Sequence, residues 1–228
     1  MQRTEKLQYT KSAIVYIDIL GIRNKIVNDA IGDSISIMKR VIQEAEQYSN
    51  VDITPIVQHS KPKYKVFSDN IIFAIDLDYE DNDYILLGIV ANFIEKVMTE
   101  CGWLCRGAFT YGDLYIDDDF VWGPGLVKSY ELENSIAIYP RIIIDPECKS
   151  ALIDRIEGAE GLIFQKDEDG MYYLDILSYI VGDNDKDLTI QKYRELCYKL
   201  IEECKTNTKI MQKINWFLNY IQKVENRV

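Results

Sequence analysis

The chain has little histidine, no paired-cysteine motif and too little positive charge for a polyanion binder. Its single histidine, His59, cannot complete a usual Cys/His zinc site. The five cysteines at 101, 105, 148, 197 and 204 are an odd set without CxxC spacing, which points to reduced thiols. Lys and Arg number 26 against 37 Asp and Glu, and the net charge of -11 with a pI near 4.7 opposes binding to nucleic-acid backbones or anionic membrane surfaces. A small anionic substrate is still compatible with this charge if metal ions carry the positive side. The polar start MQRTEKLQYTK has no apolar signal-peptide region, and no apolar run approaches the roughly 20 residues of a membrane span. A soluble cytoplasmic protein is expected. Internal repeats and low-complexity linkers are absent as well.

What is present is core-forming material: 47% of the 228 residues are hydrophobic. That suits one domain over 1–228, with a core of about 12–145 and an extension of about 146–228 packing on it; a boundary near 146 is the alternative. Residues 12–20 are rich in Ile, Val and Tyr and read as a central strand buried on both faces, ended by Gly21. A helix follows over 33–48, with Asp33 as N-cap. Pro55 and Pro62 bracket a loop or short strand containing His59. Residues 63–69 and 71–76 form a hairpin around Ser68-Asp69-Asn70. A helix over 82–100 stops at Gly102, and 104–111 with 112–117 supply one or two strands. Phe120-Val121-Trp122 is a short apolar piece, and Gly123-Pro124-Gly125 introduces a helix over 125–137. Arg141–Ile144 is a strand. The remainder reads as a helix (146–157), a hairpin (161–166 and 171–177) and two helices (186–204 and 207–225). Strands alternating with helices indicate an α/β or α+β sandwich.

Two aspartates stand out. Asp18 ends the doubly buried strand, where an unpaired carboxylate is costly unless something cationic lies against it. Asp69 sits at the hairpin turn. Either can be a cap or turn former when taken alone. Side by side, they form a hard-cation site suited to phosphate chemistry.

With its neighbours, this pair resembles the class III nucleotide cyclases. Tyr16-Ile17-Asp18-Ile19-Leu20-Gly21-Ile22 is similar to their strand-one signature, and Lys65-Val66-Phe67-Ser68-Asp69 to the hairpin that carries the second metal aspartate. Arg106 to Gly112 resembles their Arg-x-Gly strand, and Trp122-Gly123-Pro124 to Leu132-Glu133 their strand-to-helix segment. The four segments occur in family order across roughly 12–145. The chain also departs from the common pattern. Val127 stands where the transition-state asparagine belongs, Glu131 where the phosphate-binding arginine belongs, and Phe120 where adenine-selecting cyclases have aspartate. Of the base-selecting pair only Lys65 has a counterpart. A closer resemblance is to the pyrimidine cyclases of bacterial anti-phage Pycsar systems, carried by Phe67-Ser68-Asp69-Asn70, Arg106 to Gly112, and Gly123-Pro124-Gly125-Leu126 through Tyr130-Glu131-Leu132-Glu133 to Ala137-Ile138-Tyr139-Pro140-Arg141-Ile142.

The resemblance implies an α+β cyclase fold with a ferredoxin-like palm and a largely antiparallel sheet. It implies a homodimer with active sites between subunits, conversion of UTP to cyclic UMP and pyrophosphate, and a separate effector that responds to the product. Cytidylate cyclase, divergent adenylate cyclase and an inert cyclase-like module are the alternatives. Two Mg²⁺ or Mn²⁺ ions would be held by Asp18, Asp69 and the Ile19 carbonyl. Backbone N–H groups of Leu20, Gly21 and Ile22 would meet the phosphates. Arg141 is the first phosphate-ligand candidate, with a strand-edge salt bridge as its other reading; Arg106 is the second, and its other reading is structural. Lys65 is a candidate base reader. Tyr64, Phe120 and Tyr130 are bulky enough to exclude a purine's second ring, and Tyr64 is the one put forward. The acidic run Asp76, Asp78, Glu80, Asp81 and Asp83 lacks EF-hand spacing and reads as a solvated loop. Cys197 and Cys204, seven apart on one helix face, read as packing residues.

Overall fold

The computed structural model describes residues 7–22, 27, 32–50, 59–155, 159–180 and 186–227. Its centre is strand β1 (Thr10–Leu20), in which Ala13 through Ile17 are all buried. Fully burying an Ile or Val side chain stabilises by about 1.5–3 kcal/mol, so this strand anchors the sheet from both sides. Helix α1 (Asp33–Asn50) follows. The Ser36 N–H donates to the Gly32 carbonyl at 3.0 Å, so Gly32 occupies the capping position expected of Asp33 and Asp33 is the first helical residue.

Next come β2 (Lys63–Phe67) and β3 (Asn70–Asp76), joined at Ser68-Asp69 as expected, then α2 (Asn82–Lys96). The stretch Val97–Cys101 continues α2 as a wider π-helical turn up to Gly102. Strand β4 (Leu104–Ile116) is one continuous strand, paired near its end with β5 (Val121–Trp122). Helix α3 (Pro124–Ser135) and β6 (Ile142–Ile144) complete the region carrying the motifs. The expected 51–58 part of the His59 segment lies outside the described residues.

Between 146 and 180 the elements are shorter than the periodicity suggests. A 3₁₀ turn at Pro146–Cys148 leads into α4 (Lys149–Leu152), and α5 (Ala159–Leu162) precedes β7 (Phe164–Lys166). Strand β8 (Tyr172–Leu174) gives way to α6 (Ile176–Ile180), because Asp175 caps the turn by accepting the Ser178 N–H at 3.3 Å. Helices α7 (Lys186–Cys204) and α8 (Thr208–Glu225) match their expected spans. Cys197 is buried in the core.

The sheet runs β2-β3-β1-β4-β6-β8-β7, antiparallel except where β6 lies parallel to β4. Strands from beyond 146 thus extend the same sheet. Its two faces differ. Val15, Ile17 and Ile19 point to the large core under α1, α2, α7 and α8. Ile14 and Tyr16 point to a small cluster with Ile72, Ala74 and Leu114, against which Leu126 of α3 packs. Helix α3 sits unusually close to the sheet because two glycines meet: a Cβ on Gly112 would lie 2.4 Å from the Gly125 Cα.

That contact is backbone to backbone, so Gly112→Ala forces α3 away from the sheet. We expect it to lower unfolding free energy by about 2–3 kcal/mol in urea titration; a change below about 0.5 kcal/mol would show that α3 yields freely.

Candidate active site

Strand register assembles the site. In β1, Asp18 lies opposite Asn70 of β3 on one side and Arg106 of β4 on the other. Residues directly opposite share a sheet face, so Asp18, Asn70 and Arg106 project together on the side away from the main core. Asp69 precedes Asn70 in the hairpin turn, and its carbonyl accepts the Ile19 N–H at 2.9 Å. The two aspartates are thus locked at the ends of adjacent strands.

Arg106 is the connector. Its Nε donates to Asp18 Oδ2 at 2.8 Å and its Nη1 to the Ala137 carbonyl at 3.1 Å. Its Nη2 stands 2.8 Å from Glu133 Oε1, but out of line for a hydrogen bond, so that contact is Coulombic. The Glu133 side chain is only 4% exposed, against 17% for Asp18 and 19% for Arg106. Burial pushes the Glu133 carboxyl up to about 7, Arg106 opposes this, and Asp18 adds to it. On the other flank, the Tyr16 hydroxyl donates to Asn70 Oδ1 at 3.0 Å, and Asn70 Nδ2 donates to Asp69 Oδ1 at 3.2 Å. Burial, followed by the charge of Glu133, raises the Tyr16 pKa.

The other sequence candidates are distributed unevenly. Gly21 has φ +79° and nothing within 4 Å of a hypothetical Cβ, so its backbone conformation, and not crowding, calls for glycine. Leu20 is half-buried, and Ile19 and Ile22 are buried, which leaves their main chains as the groups to consider. Lys65 shares the Tyr16 face through its pairing with Ile72, and its ammonium donates to the Asp118 carbonyl. Tyr64 alternates to the opposite face, against Phe73 and the main core, and lines an apolar cleft of about 440 Å³ with Ile35, Met38 and Ile42 of α1. That places it away from Asp18, contrary to the expectation of a base-excluding ring beside the aspartates. Phe120 and Tyr130 are exposed, and Tyr130 packs edge-on to Tyr16 at 5.6 Å.

Arg141 corrects a second expectation. Its side chain is 1% exposed, its guanidinium is paired with Asp167 and Asp169, and the rings of Tyr139, Tyr173 and Trp216 surround it at 5.6, 5.9 and 5.6 Å. Trp216 Nε1 also donates to Asp167 Oδ2 at 2.8 Å. This box joins β6, the β7–β8 hairpin and α8, and it leaves no open side for a phosphate.

Asp18 and Asp69 present hard oxygens of the kind magnesium and manganese take, and each keeps one oxygen outside the contacts with Arg106 and Asn70. Among the described residues no cluster of three or more Asp, Glu, His or Cys forms a closed metal cage. Two carboxylates completed by substrate and solvent oxygens is a common arrangement for magnesium, so the donor set fits. Sequence reasoning missed Glu133 as a site residue. The signal was present in the buried stripe of α3, Gly125, Ser129 and Glu133, spaced four apart with a charge at its end.

No protein-family model matches the sequence, and no curated protein sequence matches it significantly. Solved structures do resemble it. The catalytic core of a rhodopsin-guanylyl cyclase with converted specificity, in complex with ATPαS, aligns over 75% of this chain and 98% of its own at 13% identity and TM-score 0.51. A class III adenylyl cyclase-like ATP-binding protein from Pseudomonas aeruginosa aligns over 75% of this chain and 40% of its own at 11% identity and TM-score 0.50. The fold of this chain is that of class III cyclase catalytic domains.

The Glu133 environment has a measurable consequence. An unfolded glutamate ionises near 4.5 and the folded Glu133 near 7. Between those values the unfolded chain has released this proton while the folded chain keeps it, so stability falls as pH rises, by about 3 kcal/mol in total from this group. In metal-free urea titrations from about pH 5 to about pH 7.5, we expect Glu133→Gln to remove that part of the slope; identical slopes would refute the shift.

Proposed function

We propose that this chain is a metal-dependent nucleotide cyclase that converts a pyrimidine nucleoside triphosphate, UTP ahead of CTP, into the 3′,5′-cyclic monophosphate and pyrophosphate. The observation carrying this reading is the register that sets Asp18 and Asp69 side by side at the open end of β1 and β3. The cyclase fold is consistent with it. The pyrimidine assignment rests on the sequence resemblance to the anti-phage cyclases, and with it come a cytoplasmic location, a role in anti-phage defence and an effector that reads the cyclic product.

In this reaction the ribose 3′-oxygen attacks the α-phosphorus in line while pyrophosphate leaves from the far side. Magnesium or manganese held by Asp18 and Asp69, with the Ile19 carbonyl as a further oxygen, supplies Lewis acidity and charge neutralisation at the phosphates. The chain supplies orientation. Arg106 holds one oxygen of Asp18 and Asn70 one of Asp69, which leaves each carboxylate a single directed oxygen. Gly21 opens the main chain at the strand end, where N–H groups of 20–22 can face phosphate without a side chain between. Lys65, whose ammonium donates to the Asp118 carbonyl beside the Asp117–Asp119 turn, would meet a base edge.

A second copy of the chain completes the proposal. The Asp18 face carries Phe67, Val127 and Tyr130, all exposed, and the rings of Phe67 and Tyr130 both pack edge-on to Tyr16. Such a concentration of apolar rings is expected to be covered by another subunit. One contact favours a second reading, divergent adenylate cyclase: Lys65 against the acidic turn makes a base pocket with both a donor and nearby acceptors.

Incubation with each of the four nucleoside triphosphates and Mn²⁺, with products resolved by mass, separates the readings. We expect cyclic UMP or cyclic CMP; product from ATP or GTP alone would overturn the pyrimidine assignment. Asp69→Asn should cut turnover by at least about 100-fold without changing thermal stability by more than a few degrees. In sedimentation the active species should be a dimer.

A further inference from the structure

A nucleoside triphosphate brings several negative charges to a site whose nearest carboxylates are Asp18, Asp69 and Glu133, so phosphate binding calls for protein cations besides metal. The basic residues noticed in the sequence are already engaged. All three guanidinium nitrogens of Arg106 face Asp18, Ala137 or Glu133. Arg141 is enclosed with Asp167 and Asp169. Lys65 holds the Asp118 carbonyl. On α3 the exposed Val127 and Glu131 carry no positive charge, and Lys128 is paired with Asp145 and Glu147.

A different cation reaches the site from α8. Trp216 stacks on Tyr139 with ring centroids 5.7 Å apart and planes within 11°. Tyr139 is two residues from Ala137, whose carbonyl binds Arg106. Residues three apart share a helix face, so Lys213 stands one turn from Trp216 on the side turned toward Arg106. Lys213 is half-buried, and its ammonium lies in the fields of Arg106, Asp18 and Glu133. Burial first and Arg106 second lower its pKa, while both carboxylates act the other way. No hydrogen bond or ion pair ties it to another described residue. Partial burial beside two acids without a direct partner leaves its N–H donors available for an incoming anion.

We propose that Lys213 is a ligand of the substrate phosphates, a cation that the C-terminal helix delivers to the Asp18–Arg106–Glu133 cluster. The inference deepens the cyclase reading and rests on it for the identity of the substrate. It also assigns a role to the extension beyond 146: the Arg141 box pins α8, and α8 carries the lysine.

The test uses the full chain with Lys213→Met, which keeps the apolar stem, and Lys213→Arg, which keeps the charge. Lys209→Met, at an exposed position one turn away, is the control. Calorimetric titration with inorganic tripolyphosphate and Mn²⁺ reads phosphate binding without turnover. We expect Lys213→Met to weaken binding by about ten- to a hundred-fold, the range for loss of a charged hydrogen bond, with KM for the nucleotide rising in parallel. Lys213→Arg should recover most of the loss, and Lys209→Met should match the wild type. Should Lys213→Met lose the fold by circular dichroism, Lys213→Gln takes its place. Tripolyphosphate affinity within twofold of wild type in the neutral variant overturns the proposal. Lys213-dependent tripolyphosphate binding without cyclic product from any of the four nucleotides supports the phosphate ligand and sinks the cyclase reading. Absence of binding and of product in the wild type sinks both.

Discussion

The geometry of the site depends on one guanidinium. Arg106 joins β4 to β1 through Asp18, to α3 through Glu133, and to the segment after α3 through the Ala137 carbonyl. A cation this enclosed is tolerated only when its hydrogen-bonding groups are met, and removing one partner from such a set leaves an uncompensated charge. The arrangement requires two prior conditions. Register must set Asp18 and Arg106 opposite each other, and the Gly112–Gly125 contact must let α3 settle close to the sheet. Given both, Glu133 is carried into the cluster, and its raised pKa follows from burial beside Asp18.

Strand β1 then divides the molecule by chemistry. Its core-facing residues build a conventional hydrophobic interior with the helices, while its other face passes from a small apolar cluster around Ile14 and Tyr16 to the acidic end at Asp18. The rigid interior fixes the position of the charged end. The exposed rings around that end, and the cyclase fold, make it the face on which chemistry and association are both proposed.

The region beyond 146 is joined to this plan in two ways. It adds β8 and β7 to the sheet edge at β6, and it closes an aromatic and acidic box on Arg141. The arginine that resembled a phosphate ligand therefore acts as a fastener. The helix it fastens brings Lys213 toward Asp18 from more than 190 residues along the chain.

Much of the plan was legible in the amino-acid order, because it is local. The apolar run of β1, the hairpin at Ser68-Asp69-Asn70, the long α2 and the two final helices all announce themselves through short-range periodicity and turn residues. Asp18 and Asp69 were visible because each interrupts an apolar strand end. Periodicity identifies which residues of a strand share a face, but not which face meets the core. That is why Tyr64, expected beside the aspartates, lies on the core side, while Lys65 shares the Tyr16 face. Periodicity is equally silent about distant partners. Arg141 meets Asp167 and Asp169, Glu133 meets Arg106, and Lys213 approaches Asp18 only after the sheet and α8 have packed. The sequence by itself determined the strands, the turn and the two aspartates, since those follow from backbone preference and hydrophobic alternation. Tertiary structure alone decided which of these cations are engaged, since charge pairing depends on distances in space that chain separation does not encode.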